Sequence, residues 1–270
     1  MTEWLANLSW QVIAVVVLVL AAVRLALGRG KSWPARIGSE ISETLAIALA
    51  IVYLVVKPFL IQAFFIPSGS MHPTLLERDH LVVNKLVYYF TEPEYGDVIV
   101  FHAPPNASDD GKERDFIKRL IGKPGDTLEV RPGYVNINYN ILGHREIEEL
   151  ILGGYNAKNS IKFVKDGIIA NGKRYSKGQI AAATGNPSAM VEVHPGIVLR
   201  NNKVLYEPYI AEDPDEQMEP YRVPEGAYFV MGDNRNKSSD SRHWGAVKRE
   251  KIIGKAMFVF WPRGRMKWIH

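Results

Sequence analysis

From Leu8 to Val23 the chain carries no charged side chain. Such a run has two places to go: the centre of a large core or the interior of a bilayer. A helix rises 1.5 Å per residue, so about 20 apolar residues cross a hydrocarbon layer of roughly 30 Å. Arg24 closes the run where a long stem reaches headgroups, and Trp4 and Trp10 suit the opposite interface. A second apolar segment, cleanest from Thr44 to Val56, ends at Lys57 and Pro58, where proline breaks a helix. A cleaved leader is the competing reading of the first run, but the run is long and a basic stretch follows it where a small-residue cleavage site would be. A buried core helix competes for the second, given Lys57 and Gln62.

The connector carries Arg24, Arg29, Lys31 and Arg36 without an acid. Basic loops stay in the cytoplasm, so the N-terminus and everything after Phe65 lie outside. The expectation is a two-span membrane anchor over residues 1–58, with a basic cytoplasmic loop near 28–40 and an exported domain beyond.

That domain reads as mainly β. "HLVVNKLVYYF", "DVIVFHA", "DFIKRLIG", "TLEVR", "AYFVMG" and "KAMFVFW" have strand character, separated by Pro-Gly, Asn-Gly and Gly-Asp turn signals. No long helices alternate with them, which disfavours a parallel α/β fold and points to an antiparallel sheet. "REIEELIL" predicts one short helix. "LEVRPGYVNIN" and "VEVHPGIVLRN" echo each other as two hairpins with Pro-Gly turns. Residues 59–133 and 220–270 are expected to form the main β domain, and 134–219 a smaller inserted β-rich subdomain.

A net charge of +4 over 270 residues, with no dense Lys/Arg block, disfavours a nucleic-acid partner. There is no cysteine, hence no thiolate nucleophile, disulfide or Cys metal site. His72, His80, His102, His144, His194, His243 and His270 are scattered without ligand spacing, and no phosphate-binding loop or dinucleotide fingerprint occurs. Neither metal nor cofactor is expected.

Three places carry possible chemistry. Ser70 lies in "FFIPSGSMHPTL"; a serine hydroxyl needs a base to attack, and alone it also reads as a turn serine. His72 is near in sequence, but Pro73 restricts it, no acid obviously orients it, and sequence proximity does not make a catalytic pair. Lys118 is a second possible base. Strand alternation puts it between Phe116 and Leu120 on one face, where desolvation lowers a lysine pKa; the alternative is a lysine snorkelling at a strand edge. The polar loop "MGDNRNKSSDSRHWG" either supports a site through ion pairs or is an ordinary turn.

Taken together and in order, "PSGSMHPTL", "GDVIVFHAP", "DFIKRLIGKPGD" and "GDNRNKSSDSRHWG" resemble the sequence boxes of bacterial type I signal peptidases, the membrane-bound Ser/Lys leader peptidases. The resemblance covers the second anchor, residues 60–131 and residues 220–262; residues 134–190 match no motif. It implies Ser70 as nucleophile and Lys118 as general base. It implies an oxyanion hole from the Ser70 amide and Ser68 hydroxyl, and Ser238 as hydrogen-bond partner of the lysine amine. Asp233 with Arg119, and Asp240 with Arg242, would be supporting ion pairs. Phe64, Ile66, Phe116 and Ile117 would line shallow apolar substrate pockets. Where the family commonly reads Gly-Asp-Asn-Arg-Asp-Asn-Ser, this chain has Asn236 and Lys237, a cation placed next to Ser238.

The implied protein is a serine endopeptidase of the bacterial plasma membrane, its catalytic domain on the outer side. It would remove signal peptides from exported preproteins after small residues of Ala-x-Ala type. The bilayer and the translocation machinery would be its other partners. Trp261, Arg263, Arg265, Lys267 and Trp268 form an aromatic and basic tail suited to anionic headgroups. The competing readings are a narrow-client Ser/Lys peptidase and an inactive membrane-anchored module that binds signal peptides.

Overall fold

The computed structural model describes residues 10–27, 32–51, 61–108, 111–156 and 159–270. Trp10–Leu27 and Trp33–Ile51 are helices that pack against each other. Ser42 Oγ donates to Leu20 O at 2.5 Å, and Arg24 pairs with Glu43 at 2.8 Å. Val15, Leu18, Leu25, Ile41, Ile47 and Ile51 are exposed along the pair. Side chains of the first helix are described from Val15 onward. Among the described residues no helix is long and apolar enough to cross a membrane. Trp4, Arg29, Lys31 and the break at Lys57 and Pro58 lie outside the described residues.

Helix begins at Trp33, inside the basic loop expected near 28–40. Pro34 sits in its first turn, where a fixed φ suits the helix and its missing amide costs nothing. Arg36 N donates to Ser32 O at 3.2 Å.

The remainder is built on one large antiparallel sheet. Its order is Ile61–Phe65, His80–Asn84, Ile252–Trp261, Val98–Ala103, Arg114–Gly122, Ala227–Met231 and Val247–Lys248, with Lys267–Trp268 added beside Ile252–Trp261. Both faces of its centre are covered. Ile99, Phe101, Leu120 and Val230 pack with Trp244 on one face; Val98, Val100, Leu81, Val83 and Val259 pack with Met71 and Leu75 on the other. Two-sided burial is why "VIVF" and "AYFVM" are continuous apolar runs. Each such side chain contributes about 1.5–3 kcal/mol by leaving water.

The strand expected over "HLVVNKLVYYF" stops at Asn84, and Val87–Phe90 is a single helical turn. Asn84 causes the stop: its Oδ1 accepts from Leu86 N at 2.9 Å and Val87 N at 3.1 Å, a local bond that competes with the ladder. The short helix expected in "REIEELIL" is present as His144–Leu152. The two echoing segments are not hairpins. Thr127–Arg131 pairs with Ile197–Arg200, and Tyr134–Ile137 pairs with Val191–His194. Each Pro-Gly is therefore a corner carrying the chain from one sheet into the next. The corners stack so closely that a Cβ on Gly133 would lie 2.9 Å from Gly196 N and 2.3 Å from the Phe163 ring.

Beyond these corners, two three-stranded sheets and the helices His144–Leu152 and Lys177–Ala183 enclose a separate core of Val135, Ile147, Phe163, Ile168, Ile180 and Val193. The aromatic and basic tail is folded in. Arg265 Nε and Nη2 grip Asp79 at 2.8 and 2.9 Å, Ile269 is buried, and Lys267–Trp268 pairs with Phe258 and Val259. Trp261 and Trp268 remain exposed.

Candidate active site

Ser70 follows the edge strand Ile61–Phe65 in a turn held by its neighbours. Leu75 N donates to Met71 O at 2.9 Å, and Met71 and Leu75 are fully buried, so two apolar side chains anchor the turn to the sheet. Lys118 stands on Arg114–Gly122 opposite Ile99, on the face that alternation assigns to Phe116 and Leu120. Its Nζ lies 2.9 Å from Ser70 Oγ and 3.1 Å from Ile117 O, with the Phe116 ring centroid at 5.3 Å. Only 4% of Lys118 is exposed. Burial pulls its pKa down to about 8, against the opposing pull of Asp240 and Asp233.

The polar loop after Ala227–Met231 closes beneath the serine. Gly232 is the close-approach position: a Cβ there would lie 2.4 Å from Ser70 O and 2.2 Å from Ser238 Oγ. Gly232 N donates to Asp240 Oδ2 at 3.0 Å. Asp240 holds Arg242 through Nε at 2.9 Å and Nη2 at 3.0 Å. Burial pushes the Asp240 carboxyl up, but Arg242 and the Gly232 amide hold it below the usual carboxylate value. Arg119 clasps Asp233 with Nε at 2.8 Å and Nη2 at 2.7 Å, and its Nη1 donates to Gly96 O at 2.7 Å and His270 O at 2.8 Å. Both ion pairs expected from the sequence are thus formed and buried.

Other expected residues fall differently. Ser238 is buried and its hydroxyl helps to hold the Asp240 carboxyl down, although it meets full hydrogen-bond geometry with no group among the described residues; the bond expected to Lys118 is not formed. Ser68 is exposed. Phe64, Ile66 and Ile117 join one apolar cluster, whereas Phe116 packs on the opposite face against Phe101 with ring centroids 6.5 Å apart. Adjacent strand residues point to opposite faces, so the four cannot form one pocket. His72 does have an acidic partner, Glu77, at 2.6 Å. The pair is part-exposed, and Lys118 is the residue bonded to Ser70. Lys237 reaches Asn159 O at 3.4 Å, and its charge bears on Glu212 and His144. The charges bearing on the Lys118 amine are Asp240 and Asp233.

Sequence reasoning missed Thr74, whose Oγ1 donates to Asp233 Oδ2 at 2.5 Å, and Arg235, which grips Glu207 twice at 2.6 Å. It also missed Asn234 and Asn236, whose amides bind main chain: Gly69 O at 3.0 Å for Asn234, and Asp213 O at 2.9 Å for Asn236. Their presence in the "GDNRN" box was the available signal. Among the described residues, a cavity of about 560 Å³ lies at His144, Glu148 and Asp215, and another of about 560 Å³ at Tyr95, Arg119 and Tyr209. Neither includes Ser70. An extended peptide does not need a deep cavity, because it binds along a strand edge. Residues 114–118 pair with Val98–Ala103 on one side, and the strand on the other side begins its pairing only at Arg119.

Comparison with known proteins bears on the same region. The sequence model of the signal peptidase family, peptidase S26, matches residues 39–176 and 157–261. Signal peptidase I of Aquifex aeolicus is 38% identical over 228 residues, covering 82% of this chain and 83% of that protein. Probable signal peptidase I-1 of Synechocystis sp. is 34% identical over 223 residues, covering 82% and 81%. A crystal structure of a signal peptidase I from Enterococcus faecalis is 24% identical, covers 61% of this chain and 97% of that one, and superposes with a TM-score of 0.24.

Proposed function

This chain belongs to the signal peptidase family, peptidase S26, and we propose that it removes signal peptides from exported preproteins as a membrane-bound Ser/Lys endopeptidase. One observation carries the reading: a buried lysine whose amine lies 2.9 Å from a part-exposed serine hydroxyl. With its pKa near 8, the amine has a substantial neutral fraction at mildly alkaline pH, as a general base requires.

Neutral Lys118 takes the Ser70 proton as Oγ attacks the carbonyl carbon of the small residue at the cleavage point. The charge that forms on the carbonyl oxygen is received by the Ser70 amide and by the Ser68 hydroxyl, which is exposed and free to turn. The ammonium then protonates the leaving amine as the peptide bond breaks. Water, deprotonated by the same amine, attacks the ester carbonyl; the C–Oγ bond breaks, the ammonium returns its proton to Ser70 Oγ, and the signal peptide leaves with a free carboxyl group. In the ester, Ser70 Oγ is a poorer partner for the amine. Ser238 Oγ, close to Gly232 beside Ser70, is assigned to accept a hydrogen bond from the amine at that stage. Asp233 with Arg119, and Asp240 with Arg242, hold the floor of the site in place.

The strand edge at residues 115–118, which Ala227–Met231 leaves at Arg119, receives the segment before the cleavage point. Phe64, Ile66 and Ile117 contact small side chains from one face, and Phe116 borders the amine on the other. Residues 1–58 serve as a two-span anchor that places Ser70 at the outer face of the plasma membrane. The uncharged run and the exposed apolar faces of the helix pair support this. We divide the rest into a catalytic domain, 59–133 with 195–270, and an inserted subdomain, 134–194; the boundary expected at 219 moves because Ile197–Arg200 pairs with Thr127–Arg131 and Val198 packs with Leu128 and Phe229.

The test is the full chain in detergent with a preprotein whose signal ends in Ala-x-Ala. Ser70→Ala and Lys118→Met are each expected to lose ~10³-fold or more in kcat, while His72→Ala retains activity. Full activity in Lys118→Met refutes the dyad. Activity toward one client alone makes the enzyme a dedicated peptidase, and binding without cleavage in the wild type makes it a recognition module.

A further inference from the structure

We infer that Asn234 is a positioning residue for the oxyanion hole: its side chain fixes the plane of the Gly69–Ser70 peptide and so aims the Ser70 amide. The inference rests on the reading of Ser70 as nucleophile and amide donor. Asn234 Nδ2 donates to Gly69 O at 3.0 Å, and Asn234 N donates to Ser70 O at 3.1 Å. His72 N also donates to Gly69 O, at 3.1 Å. The carbonyl of Gly69 and the amide of Ser70 belong to one planar trans peptide and point in opposite directions. Two donors on the carbonyl therefore determine where the amide points. They also polarise the peptide, which strengthens the amide as a donor.

Two further observations set this apart from loop packing. The Ser70 N–H donates to no group among the described residues, so it is left for substrate. The main chain around Asn234 is rigidly placed from both sides: Asp233 is fully buried in the clasp of Arg119, and Arg235 Nε donates to Gly232 O at 3.1 Å. The carboxamide thus projects from a fixed base onto the peptide that must not rotate. Asn is suited to this because its short side chain offers an N–H to an acceptor that cannot move away.

The experiment uses the full chain in detergent, the same preprotein, and a peptide aldehyde ending in Ala-x-Ala as a probe of the tetrahedral adduct. In Asn234→Ala, kcat is expected to fall about 10–50-fold, somewhat less than removal of an oxyanion donor itself. KM stays within about two-fold, aldehyde affinity falls by the same factor as kcat, and the acid limb of the pH profile stays in place. Asn234→Asp, of equal volume but lacking the N–H, falls at least as far. A folded variant with kcat near wild type overturns the inference. So does a shifted acid limb, which would mean an effect through Lys118, or kcat and KM moving together with aldehyde affinity unchanged. Loss of the native melting transition in both variants also overturns it, since the residue would then be structural. Ser70→Ala and Lys118→Met on the same substrate keep the two claims apart. If those remain active the site reading fails; if they are dead and Asn234→Ala is normal, only the inference fails.

Discussion

Lys118 and Arg119 are neighbours on one strand, both almost fully buried, and they occupy opposite electrostatic worlds. Arg119 has a full shell of partners: two bonds to Asp233 and two main-chain carbonyls. Among the described residues Lys118 faces a hydroxyl, one carbonyl and an aromatic ring. The acids nearest to it, Asp233 and Asp240, are already engaged by Arg119 and Arg242. Burial without a dedicated counter-charge favours the neutral amine, whereas burial with one preserves the guanidinium. One face of the strand thus yields a base and the other a brace.

The sharpest way to break the contrast is to remove the amine. Lys118→Met is expected to abolish turnover yet stabilise the fold. The folded pKa, about 8, lies below the ordinary 10.5, so the unfolded chain binds more protons between those values and stability rises with pH through that window. Below about pH 8 the charged amine costs on the order of 3 kcal/mol, a cost that methionine does not carry. Denaturant melts of both proteins at pH 7 and pH 10 check this; the advantage of the variant should shrink at pH 10.

The brace should respond in the opposite sense. Asp233→Ala leaves the Arg119 charge buried and unpaired, an expected loss of about 3–5 kcal/mol, read as a fall in melting temperature. A smaller effect is expected from Asp240→Asn, which removes a charge that raises the lysine pKa. Its pH–rate profile should have its acid limb at lower pH than wild type. Thr74→Val deletes the hydroxyl that donates to Asp233 and should cost about 1 kcal/mol. The smallest effect expected is at the exposed aromatics: Trp261→Ala with Trp268→Ala should weaken binding to anionic liposomes a few-fold. Deleting residues 263–270 is a poorer test, because it also removes the Arg265 bonds to Asp79 and the His270 carbonyl bonded to Arg119.

The opposition between Lys118 and Arg119 was half legible in the chain. Alternation along "DFIKRLIG" placed Lys118 between Phe116 and Leu120, which is a local property of a strand. The same alternation sends Phe116 and Ile117 to opposite faces, into two different apolar clusters. The Pro-Gly echo misled for a related reason. Local pattern specifies a strand, a corner and a strand, but the pairing partner lies about 60 residues away and is selected by register.

The sequence alone determined the β character of the domain, the uncharged run, the candidate nucleophile and base, and the boxes that carry the family resemblance. These are encoded in residue type and short-range period. The resemblance pointed to Ser70 with Lys118 and to Arg119 with Asp233, and the tertiary structure brings them together across 48 and 114 residues; it alone decided that Asn234 reaches Gly69 across 165. It also decided that Lys237 turns toward Asn159. Such contacts depend on which strands pair and how loops close over a buried core, and burial in turn sets whether a lysine in that core is a cation or a base.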